Sequence, residues 1–490
     1  MEAKGTRAIL AAGVLLAALA APAAAAGGHV SVQIVPQLDL DALAGRGAVG
    51  LMVPGKGPTV SREEALELLD REALSARECR RACTVRILLS LPPPGDRHNV
   101  RRYPVAVLGA GYRGLLVSDS TRIPGLVSIS DIVPTARALE RGEEPVIEAR
   151  AESDAPARLA RLDRRLDRAH DSRDPATIVL VGLVAVFGGL AALLRSPLFG
   201  KAAVLTAPAL LLISLGLSSL GIDRRWIVAS ALAILGAAAA LAGGATLRRR
   251  GLGVAFACLF AVYLVVLAAW PEVNSLAAIG PHPDGGGRFY GVTNQMQTLL
   301  LAPALLAGAL LGRRWLLPVA LLALFTVGAS RTGADGGGTL VLIAAFLALA
   351  AGLLKIRVTW LRAAGLAVST LAGGIALIAI DAALGGSTHV TRAVTGGPDS
   401  LADAVGHRLD VSFQGVTGSW YVAAIVLVSL AALIWLATRR PRSAVLDALL
   451  VGLAVSLVVN DTPVDVAGFG ALSCAAVWVW QRADHDLTRL

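Results

Sequence analysis

Apolar residues run almost without interruption through the C-terminal two thirds of the chain, from about residue 176 onward. Most of the apolar stretches approach the roughly 20 residues that a helix needs to cross the hydrocarbon core of a bilayer. The pattern predicts a polytopic membrane domain, 176–482, with about eleven transmembrane helices and a short cytoplasmic tail, 483–490. The predicted segments are 176–195, 201–221, 226–246, 251–270, 296–312, 315–329, 339–354, 358–384, 420–437, 443–459 and 464–481.

A different pattern precedes the membrane domain. Short β-branched or apolar runs such as Val85–Leu91 alternate with helical patterns such as Ser61–Ser75 over residues 28–153. This alternation is typical of a small, largely parallel sheet covered by helices. The predicted fold class is therefore an α-helical polytopic membrane protein preceded by a small exported α/β domain.

Residues 1–27 have the pattern of a secretory signal peptide. Lys4 and Arg7 precede an apolar run that ends in small residues through Ala26, as such signals require. The segment could instead remain as an uncleaved anchor. In both cases the domain that follows is exported and would lie on the extracytoplasmic side.

Residues 154–175 connect the two domains. Leu159, Leu162 and Leu166 recur at helical spacing among alternating arginines and aspartates. This pattern predicts an amphipathic connector helix that lies against the exported domain or the membrane surface. A helix that pairs with a specific partner is the alternative.

Composition confirms the membrane class. The 490 residues are 55% hydrophobic and only 16% charged, with a mean hydropathy of +0.66, which excludes an ordinary soluble protein of this length. The formal net charge of +10 could indicate nucleic acid, but the basic residues cluster in short connections beside apolar segments. We therefore predict membrane lipids as partners and no nucleic acid.

The distribution of charge also predicts topology. With the N-terminal domain outside, basic connections such as 248–250 and 439–442 fall on the cytoplasmic side, as the positive-inside rule requires. The richness in Ala, Gly and Arg is typical of a GC-rich bacterial genome. These features predict a multi-pass protein of the bacterial inner membrane, with its long polar connections on the extracytoplasmic side.

Two of those polar connections, 287–294 and 330–338, are rich in glycine and contain arginine. Charged groups beside hydrocarbon are expensive enough that function is the default hypothesis. The segments that flank 330–338 are short, so either the bilayer thins there or this connection dips below the membrane surface, which is the interpretation that we favour. Its glycine N–H groups would then face an anion in a funnel floored by Arg331.

The outward-facing residues suit an anionic substrate such as a pyrophosphate. Guanidinium groups bind phosphate through two hydrogen bonds, and histidine or a carboxylate can accept a proton from an acceptor hydroxyl. The alternative is that these residues only pair with one another as a polar clasp between helices. The predicted catalytic residues are His389, His407 and Asp335, and the predicted substrate-binding residues are Arg288, Tyr290, Asn294, Arg331, Arg392 and Asp461. No cofactor or metal site is predicted; His282 is expected in a solvated loop, with a divalent-cation ligand as the alternative.

The exported domain carries a family resemblance in its second half. The segment 131–135 reads Asp-Ile-Val-Pro-Thr and resembles the Asp-Ile-x-Pro-Thr segment of the alkaline-phosphatase superfamily, and Asp41–Met52 is similar to the leading portion of such domains. The resemblance implies a two-metal site of Asp and His ligands with a Ser or Thr nucleophile. The first strand, 32–37, lacks the acidic ligand expected at its end. A degenerate domain without phosphatase activity is therefore predicted.

The membrane domain carries a second resemblance. Gly-Arg-Phe-Tyr-Gly-x-x-Asn at 287–294, followed by an apolar helix pair and Ser-Arg-x-Gly at 330–333, resembles the O-antigen ligase and polymerase family. The resemblance implies a glycosyltransferase-type reaction on a polyprenyl-pyrophosphate-linked glycan. Asp335 and Gly336–Gly338 depart from the family pattern. The whole chain also resembles bacterial multi-pass membrane proteins that join these two domain types.

Three functions remain open from the sequence. An envelope transferase of the ligase or polymerase type predicts that Arg288 and Arg331 share one outward-facing site. A non-enzymatic scaffold or sensor predicts that the outer arginines are all salt-bridged. A transporter or flippase would need access from both faces and an internal repeat, which the sequence does not display. The oligomeric state is also open.

Overall fold

The computed structural model describes residues 29–69, 84–109, 111–285, 288–356, 359–383, 417 and 419–484. The chain divides into two compact units between Ala160 and Arg161. The first is a small α/β unit and the second is helical, which confirms both predicted fold types at this level. The predicted signal peptide, most of the predicted tail and the predicted site residues His389, Arg392 and His407 lie outside the described residues.

The N-terminal unit contains a mixed sheet of seven strands among its described residues. The strands are β1 (Val30–Ile34), β2 (Ala48–Val53), β4 (Val85–Leu89), β6 (Tyr103–Gly109), β7 (Gly114–Ser118), β8 (Leu126–Ser128) and β9 (Ile147–Arg150), and a separate ribbon pairs β3 (Thr59–Val60) with β5 (Arg97–His98). The order is β1-β4-β6-β2-β7-β9, with β8 also paired to β2. Five of the seven strands run parallel to one another, whereas β6 and β9 run antiparallel to their neighbours. The sheet is therefore largely parallel.

Burial in this unit follows the sequence pattern. All six residues of β2 are buried, as expected for a central strand covered on both faces. The described helices are α1 (Leu40–Ala44), α2 (Arg62–Leu68) and α3 (Ile132–Arg141). Ser61 and Glu64 form a reciprocal capping box at the start of α2, the motif that a hydroxyl three residues before a glutamate predicts.

The second unit is built from eleven helices of 16 or more residues within the described part of the chain. They are α4 (Ala155–Leu194), α5 (Pro197–Ser219), α6 (Arg225–Thr246), α7 (Arg249–Ala269), α9 (Asn294–Leu311), α10 (Arg313–Gly328), α11 (Gly336–Leu353), α12 (Trp360–Ala383), α13 (Trp420–Thr438), α14 (Ala444–Val459) and α15 (Pro463–Ala483), with the short α8 (Pro271–Ser275) before α9. Nine of them are long and apolar enough to cross a membrane. The other two, α10 and α14, have 16 residues each. Each helix corresponds to one predicted apolar segment.

The connector and the first membrane segment differ from the prediction. They form one continuous helix, α4, of 40 residues with Pro175 inside it. Buried residues continue at helical spacing on both sides of the proline, from Leu166 and Ala169 to Ala176 and Leu180. Packing along one face therefore holds the helix together where the missing Pro175 N–H weakens it.

Helix α9 is the centre of the membrane unit. Fifteen of its 18 residues are buried, whereas only about a fifth of the apolar stretch of α13 is buried. A helix that is apolar all round and buried all round belongs to the interior of a bundle, and one that stays exposed faces lipid. The polar residues at the start of α9 thus lie at the centre of one end of the bundle.

The two ends of the bundle differ in polarity. The end that we call the loop end carries the connections 220–224, 270–293, 329–335 and 460–462. The end that we call the basic end carries the connections 195–196, 247–248, 354–359 and 439–443. At the basic end, Arg249 lies 3.4 Å from Asp484, and Arg313 Nη2 donates to the Leu353 carbonyl at 2.6 Å.

Exposed tryptophans mark both ends. Trp226, Trp270 and Trp420 are exposed where their helices meet the loop end, and Trp315, Trp360 and Trp435 are exposed near the basic end. Tryptophan is enriched at both membrane–water interfaces, where its ring lies among the headgroups. The two groups of rings therefore fit a bundle that is embedded in a membrane.

Candidate functional site

The two glycine- and arginine-containing connections meet at the loop end, beside the start of α9. The Val292 amide donates to the Gly333 carbonyl at 2.8 Å. Arg288 Nη1 donates to the Val292 carbonyl and, at 3.5 Å, to the Gly333 carbonyl. Arg288 Nη2 also lies 3.8 Å from Asp335 Oδ1. The guanidinium group of Arg288 therefore joins both connections.

Two glycines allow this close approach. Gly291 has a φ of +86°, and a Cβ added there would overlap the carbonyl oxygen of Gly333. A Cβ at Gly333 would in turn overlap the carbonyl oxygen of Val327. Asn274, which is fully buried, fixes the first turn by donating from Nδ2 to the Gly291 carbonyl at 2.7 Å. The glycines thus serve backbone packing between the two connections.

Asp335 caps helix α11. Its carboxylate accepts from the Gly338 amide at 3.0 Å, and only 2% of the residue is exposed. Gly336–Gly338 form the first turn of the helix rather than the expected re-entrant turn with N–H groups directed at an anion. The physical reason is that aspartate is a strong N-cap, and its carboxylate already occupies the positive end of the helix.

Arg331 lies on the turn between α10 and α11. The amides of Thr332 and Ala334 both donate to the Ala329 carbonyl at 3.0 Å, and this closes the turn with Arg331 at its tip. Its side chain is exposed and makes no hydrogen bond or ion pair with another described residue. Arg331 is therefore an accessible guanidinium on the surface of the loop end, and the funnel that it would floor stays a prediction.

Asn294 connects α9 to the turn between α14 and α15. Its Nδ2 donates to Asp461 Oδ1 at 2.7 Å and to Thr462 Oγ1 at 2.9 Å. Thr293 caps the helix by accepting from the Met296 amide at 3.2 Å. All of the predicted site residues that are described lie at the loop end, namely Arg288, Tyr290, Asn294, Arg331, Asp335 and Asp461. Direct contacts join Arg288 to Asp335 and Asn294 to Asp461.

A buried polar row, which the sequence analysis missed, continues below this cluster. Gln297 Oε1 accepts from Ser456 Oγ at 3.4 Å, and Asn460 Nδ2 donates to the same hydroxyl at 2.8 Å. Gln297 is 1% exposed, and its Nε2 has no hydrogen-bond partner among the described residues. The signal was available, because Asn294 and Gln297 are three residues apart and share a helix face, as do Ser456 and Asn460, four apart.

A second cluster lies where the charged half of α4 meets the 281–285 turn. Asp284, 3% exposed in its side chain, lies 2.7 Å from His170 Nδ1 and accepts from both terminal nitrogens of Arg173. Burial alone would raise the pKa of the Asp284 carboxyl, but the hydrogen bonds from His170 and Arg173 outweigh burial and hold the pKa well below its usual range. Asp284 is therefore an ionised partner that fastens α4 to the turn.

His282 is not the solvated loop residue that we expected. Its Nδ1 is buried and has no hydrogen-bond partner among the described residues. Burial, reinforced by the charge of Arg173, lowers the pKa of His282 to about 4, so the ring is neutral near pH 7. The backbone of His282 pairs with that of Arg288 in an isolated bridge, which connects this cluster to the loop-end site.

Further contacts hold the charged half of α4 against the loop end. Arg165 donates to the Ser218 carbonyl at 3.0 Å and lies 3.6 Å from Glu272, and Arg168 lies 3.0 Å from Asp223. The amphipathic helix predicted from the leucines is thus present, and its basic residues contact the connections of the membrane unit. The sequence could not reveal these partners, because they are 50 or more residues away along the chain.

In the N-terminal unit, polar residues gather where parallel strands β7 and β8 end. Asp131 Oδ2 accepts from Ser118 Oγ at 3.0 Å, from Ser120 Oγ and from the Ser128 amide at 3.2 Å. Burial raises the pKa of Asp131 despite these hydrogen bonds. The contacts form a capping box around a single turn of helix, so Asp131 organises the loop. Within the described residues, no three His, Cys, Asp or Glu side chains converge as a metal site would require.

Comparisons with protein-family models, with curated proteins and with solved structures found no match to this chain. The two family resemblances therefore stay predictions. The geometry itself provides an exposed guanidinium at Arg331, an exposed carboxylate at Asp461 and hydrogen-bonded loops around the start of a buried helix. Such an arrangement can bind an anion and hold a hydroxyl group beside it.

Proposed function

We propose that this protein binds a lipid-linked anionic substrate, such as a polyprenyl-pyrophosphate-linked glycan, at its loop end and acts as a transferase of the ligase or polymerase type. The observation that carries the proposal is the convergence of three connections around the start of α9, through Arg288 to Asp335 and Asn294 to Asp461. Polar groups held together beside hydrocarbon are costly, and they are retained for function.

The residues divide into two roles under this proposal. Arg331, exposed and without a described partner, would bind the pyrophosphate through its guanidinium fork. Arg288 and Asp335 are positioning residues, because each is already engaged in holding the loops together. The proton acceptor for an acceptor hydroxyl would be Asp461, or one of His389 and His407, which lie outside the described residues.

The proposal also assigns an orientation. The loop end would face the extracytoplasmic side of a bacterial inner membrane, together with the N-terminal unit, and the basic end would face the cytoplasm. The clustering of arginines at the basic end supports this orientation, since positive charge accumulates on the cytoplasmic side. A lipid-linked glycan that has been moved across the membrane is presented on the extracytoplasmic side.

Lipid-linked glycan levels in cells test the proposal. Cells that carry Arg331→Ala as their only copy should accumulate the lipid-linked glycan relative to wild type, because transfer from the carrier would stop. Arg224→Ala provides the matched control, since Arg224 is an exposed arginine of the same end. Unchanged glycan and lipid-carrier profiles in the Arg331→Ala cells, with the protein present at normal levels, would contradict the transferase assignment.

A non-enzymatic scaffold or sensor is the second candidate. It is favoured by one observation: four arginines of the loop end, Arg165, Arg168, Arg173 and Arg288, already have carboxylate partners. In a scaffold, Arg331 would contact another protein rather than a phosphate. The same cells distinguish the two functions, because a scaffold variant would leave the carrier profile unchanged while altering the envelope proteins that co-purify with the chain.

A further inference from the structure

Two tryptophans meet at the basic end, where α13 and α15 end side by side. The rings of Trp435 and Trp478 lie 5.2 Å apart between centroids, at an interplanar angle of 69°. An arginine stacks on each ring. The guanidinium carbon of Arg439 lies 4.6 Å from the Trp435 centroid, and that of Arg482 lies 4.8 Å from the Trp478 centroid.

This stacking holds the two guanidinium groups in place and leaves their N–H groups able to bind a ligand. A guanidinium that lies over an aromatic ring is held by the cation–π interaction, and its N–H groups still point outward in the plane of the group. The contact between the two rings fixes the relative position of the two arginines. Their planar donor edges match the oxygen atoms of a phosphate.

Within the part of the chain that the structure describes, no carboxylate pairs with these arginines. Arg439, Arg440 and Arg482 are exposed, and none of them forms an ion pair with another described residue. By contrast, Arg442 pairs with Asp447 in the same region. Three guanidinium groups therefore remain available at one place on the membrane surface.

The surface beside these arginines is apolar and faces lipid. On α13, Ile434 is 65% exposed, Val428 70% and Leu427 67%. Trp435 itself is 42% exposed, as expected for a ring at the level of the headgroups. A ligand that lies along this surface would contact apolar side chains over most of its length and guanidinium groups at the end of the helix.

We propose that Arg439 and Arg482, arranged by the Trp435–Trp478 pair, and the neighbouring exposed Arg440 bind the phosphate of an anionic phospholipid. The headgroup phosphate accepts hydrogen bonds from the two stacked guanidinium groups, and the acyl chains lie along the exposed apolar face of α13. This site is at the opposite end of the bundle from the loop-end site and does not depend on the function proposed for that site. Basic clusters between membrane helices recognise such headgroups through charge and geometry together.

Native mass spectrometry of the detergent-solubilised full chain tests the site. Phosphatidylglycerol is the probe, phosphatidylcholine is the neutral-lipid control and sn-glycerol 3-phosphate is the soluble phosphate. The wild type should retain phosphatidylglycerol in preference to both. The double substitution Arg439→Ala/Arg482→Ala should weaken phosphatidylglycerol binding about 25-fold, because each guanidinium near a membrane surface contributes a factor of about five to the affinity.

Two further variants keep the test decisive. Arg439→Lys/Arg482→Lys retains the charge but loses the planar stacked fork, so it should recover only part of the affinity. Arg314→Ala removes another exposed arginine of the basic end, one that no aromatic ring holds within the described residues, and it should bind as the wild type does. Equal binding by wild type and the double alanine variant would overturn the site. Binding of sn-glycerol 3-phosphate as tight as that of the lipid would overturn its assignment to phospholipid.

Discussion

At the scale of single residues, glycine and arginine have different tasks in the loop-end site. Gly291 and Gly333 allow two backbones to approach, and Arg288 then fastens them together. Arg331 is the guanidinium that remains accessible. The sequence places both arginines among glycines and does not distinguish their roles. The contacts do, because Arg288 holds the two connections together whereas Arg331, without a partner among the described residues, is free to meet a ligand.

Gly291→Ala should destabilise the loop end. A Cβ there would overlap the Gly333 carbonyl oxygen at a φ of +86°, and such strain costs about 1 to 3 kcal/mol. Thermal unfolding in detergent, followed by tryptophan fluorescence, should report a lower midpoint. Gly182→Ala is the control, because Gly182 lies in α4 with open space around it, and alanine there should be neutral or stabilising. Equal midpoints for both variants would contradict the close approach.

His282 should make stability sensitive to mild acid. Burial lowers its pKa from the usual 6.5 to about 4, so the unfolded chain binds the proton at a higher pH than the folded chain does. This contribution to the free energy of unfolding is therefore fully present above about pH 6.5 and falls as the pH drops toward about 4. Unfolding midpoints recorded across this range should fall less steeply for His282→Phe than for the wild type. His98→Gln, at an exposed histidine, is the control, and its midpoint should fall with pH as that of the wild type does. A midpoint of His282→Phe that falls as steeply as that of the wild type would refute this account.

At the scale of elements, the length of each apolar stretch was enough to predict the helices of the membrane unit. Helix ends were harder to predict, because caps and turns depend on short-range hydrogen bonds. The glycines at 336–338 indicated a turn, but the Asp335 carboxylate makes them the first turn of α11. The change from charged to apolar residues near Pro175 suggested two elements, whereas packing continues along one face of α4.

The charged half of α4 should be as firmly held as a membrane helix. Asp284 is the buried partner of Arg173, and removing one member of a buried pair is strongly destabilising. Hydrogen exchange of residues 165–175 should therefore rise about tenfold or more in Asp284→Asn, since local opening governs that rate. Asp174→Asn, at an exposed aspartate of the same helix, should exchange as the wild type does. Fast exchange of this segment in the wild type would instead indicate a connector free on the surface.

At the scale of the whole molecule, charge separates the two ends of the bundle. The sequence predicted this separation because basic residues recur in every second connection. It could not predict that Trp435 and Trp478 meet and carry two arginines. Those contacts join helices α13 and α15, which only tertiary packing brings together.

The orientation of the bundle can be measured directly. In a background without native cysteines, Arg224→Cys at the loop end and Arg314→Cys at the basic end both place a thiol at an exposed position. A membrane-impermeant maleimide should label the first in intact spheroplasts and the second only after the membrane is permeabilised. The reverse pattern would place the loop end in the cytoplasm and remove the basis for an extracytoplasmic substrate.

The most direct measurement of the central claim is the affinity of the full chain, in phosphatidylcholine nanodiscs, for a polyprenyl pyrophosphate. Arg331 has no described partner to lose, so Arg331→Ala should leave the unfolding midpoint unchanged and weaken binding about tenfold or more, as expected for a lost charge-assisted contact to phosphate. Arg224→Ala should bind as the wild type does. Equal affinities for wild type and Arg331→Ala, or no binding by either protein, would contradict a pyrophosphate site at the loop end.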